Sequence, residues 1–108
     1  MKKGDIYLIN LISSFGHEQS GFRPAVLMSQ DVAGMIVVVP LTANLEALRF
    51  PYALSILGNS VNNLTQDSIA LVFQLKSIDK KRIKEKIGRL GSQDLTKLEK
   101  TIKDLLGL

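Results

Sequence analysis

The sequence predicts a mainly β domain: a small, strongly bent sheet or barrel with one helix packed on it at the C-terminus. Three observations carry this. Short runs rich in Val, Ile and Tyr recur along the first three quarters of the chain. Clusters of Gly, Pro, Asn and Asp separate them. A single stretch, near the end, changes from an alternating to a helical apolar period.

The elements follow in order. Residues 5–12 (DIYLINLI) read as a first strand, and a polar loop over 13–23 follows. Pro24 opens a second strand, since a residue without an N–H suits a strand's first position. Residues 30–34 (QDVAG) read as a turn. Residues 35–41 (MIVVVPL) are apolar throughout and β-branched at four positions, which predicts a central strand. Pro40 predicts a bulge or an end of pairing just before Thr42. An irregular connection over 43–51 leads to a fourth strand over 52–57 and a turn at 58–60. A fifth strand spans 68–75, with Gln74 at its polar rim. Asp79 is placed to cap a short helical turn, and residues 87–90 add a short sixth strand. Ser92 reads as the N-cap of the final helix. Leu95, Leu98, Ile102, Leu105 and Leu106 form its apolar stripe, and Gly107 ends it.

With 108 residues and 45% hydrophobic content, the chain fits one domain, residues 1–108, around a single core. No cysteine is present, which excludes disulfides, thiolate metal sites and a cysteine nucleophile. One histidine also argues against a built-in zinc site, so no metal or cofactor is expected. The N-terminus lacks the apolar length and cleavage site of a signal peptide. No run approaches the ~20 apolar residues that span a membrane, so a cytoplasmic protein without membrane contact is expected. Charge is uneven. Residues 1–75 hold four bases and five acids, a balance of −1, whereas 76–108 hold ten bases and five acids, +5. Seven of those bases fall within 76–89, either a polyanion-binding block or a solvated face.

Residues 16–24 (GHEQSGFRP) are the densest polar cluster, bringing His17, Glu18, Gln19, Ser20 and Arg23 between apolar strands. These residue types suit recognition and cleavage of a phosphodiester. Histidine moves protons near neutral pH, and arginine clamps a phosphate through two parallel N–H bonds. The competing reading of Arg23 is a loop-shaping salt bridge to Glu18, and that of His17 an ordinary polar loop residue.

Six segments in order, 4–7 (GDIY), 16–24, 37–42 (VVVPLT), 67–68 (DS), 74–79 (QLKSID) and 86–88 (KIG), resemble the MazF/PemK/Kid toxins of bacterial type II toxin–antitoxin systems over essentially the whole chain. The resemblance implies an SH3-like barrel and a homodimer. It also implies a metal-independent, ribosome-independent endoribonuclease that cuts single-stranded RNA at short sequences and is held in check by a cognate antitoxin. It makes Arg23, Thr42 and His17 the catalytic candidates, and Gln19, Ser20, Gln74, Lys76 and Ser77 the RNA contacts. Thr42 would donate to a phosphate oxygen, although a residue there also serves to close the strand. Turn chemistry competes for Ser20 and Ser77. One departure stands out: Phe73 occupies a position that is acidic in several relatives. Phe15, Phe22 and Phe50 are read as core rather than as stacking surfaces. Two alternatives remain: a non-catalytic toxin of this fold acting on a protein such as a topoisomerase, and a plain RNA-binding barrel.

Overall fold

The computed structural model describes residues 1–11, 16 and 21–108. Among the described residues seven strands are followed by one helix: β1 (Asp5–Leu11), β2 (Gly21–Leu27), β3 (Met35–Thr42), β4 (Ala53–Ile56), β5 (Ser68–Leu71), β6 (Lys76–Asp79), β7 (Ile83–Arg89) and α1 (Ser92–Leu106). The sheet runs β4-β5-β3-β2-β1-β7, with β6 paired to β3 beside β5. All pairings are antiparallel. The expected mainly β chain with a C-terminal helix is therefore present, with one strand more than the sequence predicts.

Alternation divides the apolar residues of β1–β3 between two cores. On one face Tyr7, Ile9, Leu11, Ala25, Leu27, Ile36, Val38 and Ile78 pack together, with β7, β1, β2, β3 and β6 bent around them. This is the small barrel. The 3-10 turn Lys80–Arg82 carries the chain from β6 to β7, and the Asp79 carboxylate accepts from Lys81 N–H at its start, as the sequence predicts. On the other face Ile6, Val26, Val39, Leu41, Ile56, Ala70 and Val72 meet Leu90 and Leu98 under α1. Parallel strands buried on both sides would read as continuous apolar runs. Here an antiparallel strand does so, because each face of β3 has its own core.

The predicted fifth strand breaks in two. Leu41 opposes Ala70 and Val38 opposes Lys76, so three residues of advance on β3 match six on its partner. The excess is the 3-10 turn Val72–Gln74, which lifts the chain off β3 and sets it back as β6. A period-two pattern in residues 68–75 cannot report this, because the side chains keep alternating while the backbone turns. Pro40 does not end pairing: it opposes Ala25 and β3 continues to Thr42. It lies instead where the other edge of β3 passes from β6 to β5.

Other boundaries also move. β2 begins at Gly21, not Pro24, so Arg23 is a strand residue rather than a loop residue. Residues within 43–51 form a 3-10 turn, Leu45–Arg49, capped by the Asn44 side chain. The last strand reaches back to Ile83 and takes up half of the basic block. Gly91, not Ser92, precedes the first turn of α1. Leu106 is 55% exposed and drops out of the stripe, leaving Leu95, Leu98, Ile102 and Leu105 on the core. Gly107 ends the helix at φ 73°. Its N–H bonds to Asp104 O, and Leu108 N–H bonds to Lys103 O, the paired bonds of a left-handed helix terminus.

The connection from β4 to β5 is built on two asparagines, and Asn59 Oδ1 accepts from Val61 and Asn62 N–H. Asn62 is fully buried. Its Oδ1 accepts from Asn59 and Leu64 N–H, and its Nδ2 donates to Leu57 O. Asn63 Nδ2 donates to Ile87 O on β7. Backbone then meets backbone at Gly88: a Cβ there would stand 2.5 Å from Asn62 O and 2.8 Å from Val61 O. Gly88→Ala should cost about 1–3 kcal/mol, the scale of overpacking where the neighbour is main chain. For a chain of this size the melting temperature should fall by roughly 4–8 °C per kcal/mol, measured by circular dichroism.

Asp5 ties the N-terminus to the sheet. Its Oδ2 accepts from Lys2 N–H and Tyr7 O–H, and Lys86 Nζ lies 3.5 Å from Oδ1. Burial pushes its pKa up, but the Lys2 amide, the Lys86 charge and the Tyr7 hydroxyl together hold it below the ordinary 3.8. A depressed folded pKa gives stability that is complete above 3.8 and is lost as pH falls through the folded value. Asp5→Asn should lower stability at neutral pH and flatten the decline of the urea midpoint below about pH 4.

Candidate active site

Arg23 and Thr42 come together on the neighbouring strands β2 and β3. Pairs of β2 and β3 run Leu27–Val38, Val26–Val39 and Ala25–Pro40. Arg23 and Thr42 each lie two residues beyond the last of these pairs on their own strand, and both line one cavity of about 280 Å³. Arg23 is exposed and sits beside Ile9 of β1, between positive-φ Gly21 and Pro24. Thr42 is half-buried, and its Oγ1 accepts from Asn44 N–H at 3.2 Å. The turn-closing reading of Thr42 is thus correct, and it does not compete with donation. The accepted bond fixes the oxygen and leaves the hydroxyl proton to be given to a ligand.

The opposite wall of the cavity comes from the β4–β5 connection, with Asn63, Thr65 and Gln66, and from Ile87 of β7. Sequence reasoning passed over these residues. The signal was present in 59–66, where asparagines, a threonine and a glutamine crowd a segment of which only 58–60 is read, as a turn. The Asn62 hydrogen bonds and the close approach at Gly88 hold this wall against β7.

The remaining candidates divide. Gln74, in the 3-10 turn, lines a second cavity that shares Thr42 with the first. Lys76 opposes Val38, and alternation puts it on the same face of the sheet as Thr42, four residues further down β3 and outside both cavities. Ser77 opposes Val37 on the other face, away from Arg23 and Thr42. His17, Gln19 and Ser20 lie outside the described residues, as do Glu18 and Phe15.

The basic block is dispersed over β6, the 3-10 turn and β7. Lys80 is held by Asp31 at 2.7 Å and Lys86 lies by Asp5 at 3.5 Å. Lys84 stands 5.2 Å over the Phe22 ring. Phe22 and Phe50 are 55% and 41% exposed, which corrects their reading as core. Phe22 is the second residue of β2, and Phe50 follows directly on the 3-10 turn Leu45–Arg49.

No helix among the described residues is long and apolar enough to cross a membrane. Residues 2–106 match the family model of PemK-like, MazF-like toxins of type II toxin–antitoxin systems. Endoribonuclease MazF of Staphylococcus saprophyticus is 31% identical over 112 aligned positions, covering 100% of this chain and 92% of that protein. In three dimensions the chain is similar to MazF from Deinococcus radiodurans, with a TM-score of 0.82 at 22% identity over 100% of this chain and 97% of that one. It is also similar to an endoribonuclease from a mycobacterial species solved with its cognate antitoxin, with a TM-score of 0.72 at 18% identity over 98% and 92%. At those identities the two structures speak for the fold, while the family match and the staphylococcal relative span nearly every residue. The chain belongs to the PemK-like, MazF-like toxins of type II toxin–antitoxin systems.

Proposed function

We propose that this chain is an endoribonuclease toxin of one domain. It acts in the cytoplasm as a homodimer, cuts single-stranded RNA at short sequences without metal or ribosome, and is neutralised by a cognate antitoxin. The observation that supports it best is the meeting of Arg23 and Thr42 in one cavity, two polar groups 19 residues apart in sequence carried on the neighbouring strands β2 and β3.

The reaction is an in-line attack of the 2′-hydroxyl on the adjacent phosphorus, which expels the 5′-oxygen. A 2′,3′-cyclic phosphate and a 5′-hydroxyl result. Negative charge grows on the non-bridging oxygens, and it is there that Arg23 and the Thr42 hydroxyl act, as fixed donors whose attraction is greatest in the transition state. A guanidinium keeps its proton at neutral pH and is a poor proton donor, so Arg23 supplies charge and two parallel N–H bonds. His17 has the residue type for moving a proton. Gln19, Ser20, Gln74 and Lys76 are the proposed RNA contacts at this site, and Ser77, on the other face of the sheet, would meet RNA only beyond it. Gln74 has the best-supported position, since its cavity adjoins the first at Thr42.

Arg23→Ala should lower single-turnover cleavage by roughly 10²–10³, the usual cost of removing one preorganised donor. Arg23→Lys should restore only part, because an ammonium cannot form the two-pronged contact. Both should melt within a few degrees of the parent, as the side chain is exposed. Near-parental cleavage by Arg23→Ala would remove Arg23 from the mechanism.

The chain has no cysteine and one histidine, a poor donor set for a transition metal. Cleavage of a long RNA should therefore proceed in EDTA, leaving fragments with cyclic phosphate ends. Loss of all cutting in EDTA with recovery in magnesium would overturn the metal-independent scheme.

A further inference from the structure

The second cavity has a feature that the cleavage chemistry does not use. It measures about 390 Å³ and is lined by Thr42, Asn44, Glu46, Phe50, Phe73 and Gln74. Phe50 and Phe73 come from two separate 3-10 segments, yet their ring centroids lie 5.5 Å apart at an interplanar angle of 54°. The rings are 41% and 37% exposed. Two phenyl rings held in contact and left in water are a cost to the free protein, and packing alone does not explain them. Tyr52, at φ 58°, marks a left-handed residue in the short link between Phe50 and β4, and its carbonyl accepts from Val72 N–H. That bond joins the two segments that carry the rings.

We propose that this cavity binds the base of the nucleotide next to the scissile phosphate, stacked on the Phe50–Phe73 pair, and sets the base preference at that position. The inference rests on the endoribonuclease reading. Thr42 belongs to both cavities, so a phosphate held by Arg23 and Thr42 has its neighbouring nucleotide at the mouth of the second. Stacking gives affinity to any base, because every base has a π face. Discrimination needs polar groups on the base edge. Asn44 Oδ1 is taken by Glu46 N–H, so Asn44 offers its amide N–H groups. The Glu46 carboxylate is an acceptor, able to take a hydrogen from an exocyclic amino group or a ring N–H. Arg49 stands 4.9 Å from the Phe50 ring centroid and puts positive charge at the rim, where the next phosphate would pass. A carboxylate at position 73 would offer no such platform. The phenylalanine that departs from several relatives is thereby given a use in choosing the substrate.

The test is sequencing of the 5′-hydroxyl ends produced from a random-sequence RNA pool. The parent should show a base preference at a position adjoining the cut. Phe50→Ala and Phe73→Ala free the base from the edge groups against which the stack holds it, so they should weaken that one preference by roughly 5- to 100-fold, the range expected for lost base-edge contacts, and leave preferences elsewhere intact. Phe73→Tyr keeps a ring and should keep the preference. Thermal melting accompanies each variant. Should the alanine variants unfold, Phe73→Tyr against Phe73→Leu makes the same comparison at nearly constant volume. Unchanged preference at every position, or a uniform loss of cutting in folded variants, overturns the subsite. Preferences retained while affinity for an antitoxin is lost would make the cavity a protein-docking site and also overturn it. A parent that cuts no RNA defeats the functional reading and the subsite together, whereas a parent that cuts, with variants of unchanged preference, defeats the subsite alone.

Discussion

The arrangement depends on β3 having three partners at once. β2 lies along one edge, while β6 and then β5 share the other. Backbone groups buried on both faces must find hydrogen bonds in the sheet, so a strand with a core on each side has to be paired along both edges. The three extra residues Val72–Gln74 allow this. They release the chain from β3 at the barrel's corner and return it in register. The switch falls beside Pro40, where one fewer N–H needs a partner. The same corner projects Phe73 and Gln74 outward and leaves the end of β3, with Thr42, open to solvent on one side.

The wall facing Thr42 is rigid for a different reason. Residues 57–64 send Leu64 onto the core, and their backbone is organised by the Asn59 and Asn62 side chains bonding to nearby main chain. Such local bonds need no core, but they have to be anchored. The anchor is Gly88, whose missing side chain lets the asparagine turn lie directly on β7. A residue that touches no ligand thus sets the width of the cavity in which Arg23 sits.

The parts of the fold legible in the sequence were those that periodicity reports. β1 and β3 stand within a residue of their expected spans, and α1 carries its stripe at Leu95, Leu98, Ile102 and Leu105. The parts that were not legible are those where backbone direction changes while side-chain character does not. Residues 68–75 keep an alternating pattern through a 3-10 corner, and Gly-Phe-Arg at 21–23 reads as loop although it pairs with Leu11, Asn10 and Ile9. For Phe22 and Phe50 the failure lies in a general preference. Aromatic rings usually fill cores, and nothing in one sequence says that these two are exposed. The site was legible to the extent that it lies in strands. Arg23 and Thr42 meet because β2 and β3 are antiparallel neighbours whose ends border one cavity. Asn63, Thr65 and Gln66 escaped because their positions come from a loop held by side-chain hydrogen bonds.

Phe73 also bears on how the proposed reaction divides its labour. Transesterification of RNA needs charge stabilisation at phosphorus and two proton transfers, one from the 2′-hydroxyl and one to the 5′-oxygen. A carboxylate at position 73 would stand beside the cavity shared with Thr42 and would serve as a base there. A phenyl ring at that position moves no proton. With a single histidine per chain, the two transfers cannot both fall to imidazoles of one subunit. More of the barrier then has to be lowered by fixed donors and by holding the attacking oxygen in line with the leaving one, and both are functions of geometry rather than of pKa. A stacking platform next to the scissile phosphate serves that second requirement directly. A nucleotide gripped by its base has little freedom left at its sugar, and the angle between the 2′-oxygen, phosphorus and the 5′-oxygen is set by the sugar. On the proposed reading, a ring at position 73 therefore contributes positioning where a carboxylate would contribute proton transfer.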